Sequence, residues 1–202
     1  MADLSVEEGA RLVRAARQSI LDAYEKKETL PPAGAPVFAE LRGVFVTLTA
    51  HPQDELRGCV GFVGPNQPLG RAVVEAARLA AFEDGRFVPL RRSELDSISI
   101  EVSVLGAPEP VKAEDAKGRL KAVRIGQSGL ILKYGRASGL LLPQVAIEWN
   151  FTPQTFLEAV CEKAGLPKDF WKSPSAQLWS FGAEIYAEKQ PGGRVERRPM
   201  VH

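Results

Sequence analysis

Cys59 stands in the stretch Leu56-Arg57-Gly58-Cys59-Val60-Gly61, a thiol between two glycines with an arginine two positions before it. The thiolate is the nucleophile of cysteine chemistry, and a neighbouring guanidinium favours it by stabilising the negative charge. Gly58 and Gly61 carry no side chain, so a ligand or another stretch of backbone could come close there. Period-2 alternation places Arg57, Cys59 and Gly61 on one face of a strand and Leu56, Gly58, Val60 and Phe62 on the other. This pattern suits a nucleophilic or transiently modified cysteine, with Arg57 lowering its pKa or gripping an anionic group. It also suits plain packing, because free cysteine is among the most buried residue types. Glycine in a strand often marks a bulge, and a bulge would reset the faces.

Fewer signals attach to the remaining polar residues. Glu101 and His51 are secondary candidates for proton transfer, and a Cys59–His51 dyad across a hairpin is one arrangement to test. Arg86 and Asp84 flank a loop glycine, where they would bind an anion or form a surface ion pair. Gln144 interrupts the apolar run "LLPQVA", and a buried amide there must be hydrogen-bonded, orienting a loop or a ligand. Cys161 lies among Phe156, Leu157, Val160 and Ala164 at helical spacing and reads as core. With two cysteines and two histidines in the whole chain, no metal site and no cofactor are expected. No glycine-rich phosphate loop is present.

The elements that must position these residues follow from patterning. Ser5 and Glu8 form a capping box at the start of a helix whose apolar residues run from Leu12 to Tyr24. Residues 43–50 and 56–63 predict two strands joined by the turn "HPQDE", and 71–82 an alanine-rich helix. The run 97–105 alternates Ile98, Ile100, Val102 and Val104 with Ser97, Ser99, Glu101 and Ser103, the signature of a sheet with one apolar and one polar face. "GLILKY" and "GLLLPQVA" predict a hairpin around "GRAS", and 152–166 a helix capped by Thr152. "QLWSFGAEIYAEK" alternates as one strand, with Trp179, Phe181, Ala183 and Ile185 on one side. Hairpins without strict strand–helix alternation predict an α+β fold with a mainly antiparallel sheet and flanking helices. Residues 1–190 are expected to form one domain of two lobes, and 191–202 a flexible basic tail.

The 202 residues carry a net charge of +1. That balance disfavours a dedicated nucleic-acid binder. No apolar run spans a bilayer, the N-terminus has no signal-peptide core, and sparse cysteines suit a reducing compartment; a cytoplasmic protein is expected.

Together, "LRGCVG", "GRFVPL" at 85–90, "SVL" at 103–105, "LLPQVAIEW" at 141–149, "CEKAGL" at 161–166 and "FGAEIYAE" at 181–188 resemble the AMMECR domain family, segment by segment and in order. The resemblance implies an α+β fold with a larger and a smaller lobe. It also implies work alongside a Memo-type protein and a radical S-adenosylmethionine enzyme, although this chain has no cluster motif of its own. The signature residues Leu56, Arg57, Gly58, Cys59 and Gly61 are its candidate site, and the resemblance brings no assigned reaction. Three readings stay open: an enzyme or enzyme component centred on the thiol, a module binding a small molecule, nucleotide or nucleic acid, and an adaptor for its partners.

Overall fold

The computed structural model describes residues 3–64, 66–113 and 115–199. In chain order its elements are α1 (Val6–Tyr24), β1 (Val44–Ala50), β2 (Glu55–Phe62), α2 (Leu69–Phe82), β3 (Ile98–Leu105), β4 (Glu109–Pro110), α3 (Ala116–Ala122), β5 (Gly129–Tyr134), β6 (Ala137–Leu141), α4 (Pro143–Glu148), α5 (Pro153–Lys163), β7 (Gln177–Phe181), β8 (Ala183–Glu188) and β9 (Val195–Arg198). They fall into two compact units, a larger one of residues up to Leu105 with Glu184–Pro199, and a smaller one of Gly106–Ala183. The fold is α+β with two antiparallel sheets. Among the described residues no helix is long and apolar enough to cross a membrane.

The larger unit is a five-stranded sheet in the order β2-β1-β3-β8-β9. Its inner face presents Val44, Val46, Leu48, Ile98, Ile100, Val102 and Val104, all buried, to α1 and α2. The Ser5 hydroxyl accepts from the Glu8 N–H at 3.2 Å, and the Glu8 carboxylate accepts from the Ser5 N–H at 2.8 Å, so α1 begins where the capping box predicts. Gly9 of α1 lies flat against Tyr186 of β8: a Cβ there would come within 2.0 Å of the ring. The buried Glu188 carboxylate accepts from Arg17 Nε at 2.7 Å and from the Ile100 N–H at 3.0 Å, tying α1 to the sheet through a charge that is fully paired.

The smaller unit has the sheet order β4-β7-β5-β6. Its core gathers Leu130, Leu132, Phe156, Leu157, Val160, Cys161 and Trp171. Cys161 is fully buried, as expected, and burial pushes its thiol up to about 11.

Four expectations need correction. The strand around "GLLLPQVA" stops at Leu141, and Pro143 opens α4 instead, because proline has no N–H for a sheet but fits the first turn of a helix. The alternating run 177–188 is two strands in different sheets, split at Gly182, so Trp179 and Ile185 do not share a face. Ser99 and Ser103 are buried along with the apolar residues of β3, since β3 is the central strand rather than a half-exposed one. Within the segment expected to be a flexible tail, Val195–Arg198 forms β9, paired with Ile185–Glu188 of β8.

Helix propensity alone favours Gly9→Ala by about 1 kcal/mol. Overlap with the Tyr186 ring reverses the sign, and the variant is expected to lose about 2 kcal/mol of stability. Urea unfolding of both proteins checks the direction.

Candidate functional site

The hairpin β1–β2 pairs regularly from Ala50↔Glu55 to Thr49↔Leu56, then shifts: Leu48 faces Gly58 and Thr47 faces Cys59. Arg57 is therefore the extra residue of a β-bulge. Two consequences follow. Leu56 joins the Cys59 face rather than the apolar trio, and is 44% exposed. The Arg57 guanidinium turns to Glu94, with contacts of 2.9 and 3.3 Å, and to the Val88 carbonyl at 2.9 Å. Arg57 is thus not the cation beside the thiol.

That place belongs to Arg86. Its guanidinium donates to both carboxylate oxygens of Asp84, at 3.0 and 2.7 Å, and to the Cys59 carbonyl at 3.1 Å. Asp84 in turn accepts the Cys59 N–H at 2.9 Å. β2 is an edge strand, and an edge leaves outward N–H and C=O groups without partners. The Asp84–Arg86 pair takes both groups of Cys59, as a neighbouring strand would. Asp84 is almost buried, with 7% of its side chain exposed. Hydrogen bonds from Arg86, with further ones from backbone N–H groups, outweigh burial and hold its carboxyl well below the usual carboxylate range.

The thiol itself is half-buried and takes a 3.3 Å hydrogen bond from the Thr47 hydroxyl. Thr47 faces Cys59 on one side and Glu101 of β3 on the other. Cys59, Thr47 and Glu101 therefore form one row across three strands, on the face away from α1 and α2. Burial pushes the thiol up; the Thr47 hydrogen bond and Arg86 oppose this, while Asp84 and Glu101 add to it. The cation that opposes the rise is Arg86 and not the Arg57 expected from the sequence, and its effect is smaller than that of burial. Glu101 is ion-paired with Arg198 of β9 at 3.0 Å.

Both glycines have packing reasons. A Cβ on Gly58 would lie 2.2 Å from the Ala80 carbonyl of α2, and one on Gly61 would lie 2.5 Å from the Phe45 ring. The space above them is filled by the protein itself. His51 follows β1, four residues beyond Thr47, which is about 13 Å along a strand, so it forms no dyad with Cys59. Gln144 sits on α4 of the smaller unit, whereas the row is built wholly from the larger one. Sequence reasoning brought Cys59, Glu101 and Arg86 forward but missed Thr47 and Glu94, and read Asp84 with Arg86 as an anion site or a surface ion pair rather than as a clamp on the Cys59 backbone. Among the described residues no group of three or more His, Cys, Asp or Glu is placed to hold a metal.

Because the folded Asp84 carboxyl sits below its unfolded value, the stability it contributes is present above about pH 4 and is lost as pH falls further. Asp84→Asn is expected to cost about 2 kcal/mol at pH 7, with the gap to the parent shrinking by pH 3. Urea unfolding at pH 7, 5 and 3 tests both statements.

The AMMECR1 family matches residues 13–186. A protein of Methanopyrus kandleri is 46% identical over 202 residues, covering 98% of this chain and 97% of its own. One from Thermoplasma acidophilum is 44% identical over 197 residues, covering 97% and 95%. The crystal structure of an uncharacterized protein from Pyrococcus horikoshii superposes with a TM-score of 0.89 at 42% identity, covering 96% of this chain and 97% of that one. The chain carrying this clamped cysteine belongs to the AMMECR1 family.

Proposed function

We propose that the row Cys59–Thr47–Glu101 is the working site of a cytoplasmic enzyme or enzyme component that acts on a small molecule. The observation that carries this reading is the grip on Cys59: the Asp84–Arg86 ion pair, with Asp84 nearly buried and Arg86 reaching it from the surface, holds both backbone groups of one residue. Fixing the backbone that carries a side chain is one part of what a reacting group requires. Cys59 rests as the thiol and is activated only when a bound substrate recruits Glu101 as proton acceptor. Arg86, rather than Arg57, is then the cation available to an anionic substrate group. A Memo-type protein and a radical S-adenosylmethionine enzyme, the partners implied by the family resemblance, would supply or consume that molecule.

The raised thiol favours a second reading, a non-catalytic binding module in which Cys59 is a neutral contact chosen for size. Iodoacetamide alkylation, followed on the Cys59 peptide by mass spectrometry, addresses the resting state. Modification in the folded protein should be slower at pH 7 than in the denatured chain, with a midpoint above that of the denatured chain. Glu101→Gln should move that midpoint down, since a negative charge near the thiol is removed. Rapid modification at pH 7 would show a resting thiolate and overturn the first expectation; an unmoved midpoint in Glu101→Gln would sever Glu101 from the site. Persistence of ligand binding in both Cys59→Ser and Cys59→Ala, with turnover never detected, would favour the binding module.

A further inference from the structure

The same sheet face holds a second feature, at the end where β1 turns into β2. A cavity of about 290 Å³ is bounded by the turn residues His51 and Asp54, by Ser99 of β3, and by Ala187, Glu196 and Arg198 of β8 and β9. Its origin is in the sequence: Ser99 and Ala187 are small where neighbouring strand positions carry longer side chains, so the sheet surface dips between them. Ser99 is 6% exposed, and its buried hydroxyl has no hydrogen-bond partner among the described residues. Leaving a buried hydroxyl without a partner is costly, so this one requires a reason. The side chains of His51 and Asp54 make no hydrogen bond or ion pair among the described residues.

Charge around the cavity is balanced. Asp54 and Glu196 stand against Lys189 and Arg198; Lys189 and Glu196 are 3.0 Å apart. The Glu188 carboxylate, also at the wall, is already committed to Arg17 and the Ile100 N–H. A bare anion here would meet Asp54 and Glu196, and a bare cation would meet Lys189 and Arg198. Arg198 is also 3.0 Å from Glu101, so it and the Lys189–Glu196 pair would share existing partners with a bound molecule, and one carrying both charges a few ångströms apart suits that arrangement. The volume lies at the bottom of the range for small-molecule sites, roughly 300–1,000 Å³, which suits a metabolite of amino-acid size and excludes a nucleotide.

We propose that this cavity binds a free α-amino acid or a zwitterion of the same form, its carboxylate on Arg198 and His51, its ammonium on Asp54 and Glu196, with Ser99 completing the contacts. The site is independent of the reading given to Cys59. It is tested by calorimetric titration of the full chain with the free L-amino acids, each beside its N-acetyl and carboxamide derivatives. At least one amino acid is expected to bind saturably at a single site, with either derivative weaker by roughly tenfold or more. Arg198→Gln should weaken binding by a similar factor, and Ser99→Ala by roughly threefold to tenfold. Arg71→Gln, on the outer surface of α2, should leave it unchanged. Should Ser99→Ala not fold, Asp54→Asn in the turn serves in its place, with the same expected loss. Absence of saturable binding by any amino acid overturns the proposal. So does equal binding by the singly charged derivatives, or parental affinity in the Arg198 and Ser99 variants.

Discussion

At the edge of a sheet the backbone presents N–H and C=O groups that no strand accepts, and in this protein the edge strand is the one that carries Cys59. The Asp84–Arg86 pair answers that vacancy at one residue. The arrangement is self-reinforcing. Asp84 can be nearly buried only because Arg86 and two backbone N–H groups compensate its charge. Arg86 can reach the Cys59 carbonyl only because Asp84 orients its planar fork. Remove either, and β2 loses both its fixed position at Cys59 and its protection against pairing with another chain.

A fixed backbone does not by itself make a reactive thiol. Burial outweighs the nearest cation, and carboxylates on two sides oppose ionisation. The row is thereby set for a thiol whose proton must be removed at the moment of use, or for a contact that stays neutral. Glu101 links this row to the far edge of the sheet through Arg198, and Arg198 also borders the cavity near the hairpin turn. The polar residues of the outer face thus form a continuous electrostatic system, while the inner face is given over to hydrophobic packing against α1 and α2.

Local signals were readable wherever the physics is local. The Ser5–Glu8 cap, the Thr152–Pro153 start of α5 and the alternation of β1 and β3 each depend on a few neighbouring residues, and each stands where the sequence puts it. Alternation failed where two strands meet without a break in pattern. Residues 177–188 keep period 2 through Gly182, and nothing in that period says that the chain changes sheets. Pro143 carried the information that Leu141 ends a strand, but the apolar run around it concealed the signal.

The chain's own sequence determined that a lone cysteine lies in a strand between two glycines, after a turn, within an α+β fold, because residue types and short periods encode these features directly. It did not determine which side of the sheet that cysteine faces. Counted evenly from Ala50↔Glu55, Cys59 would oppose Val46 and point into the helix-covered core; the one-residue bulge at Arg57 sets it against Thr47 instead. That choice is made by contacts distant in sequence: Glu94 and the Val88 carbonyl draw Arg57 away, α2 presses on Gly58, and Asp84 with Arg86 seizes the backbone at Cys59. Because a register shift of one residue exchanges the two faces of a strand, only the tertiary structure could decide whether the thiol lay on the helix-covered face or the opposite one.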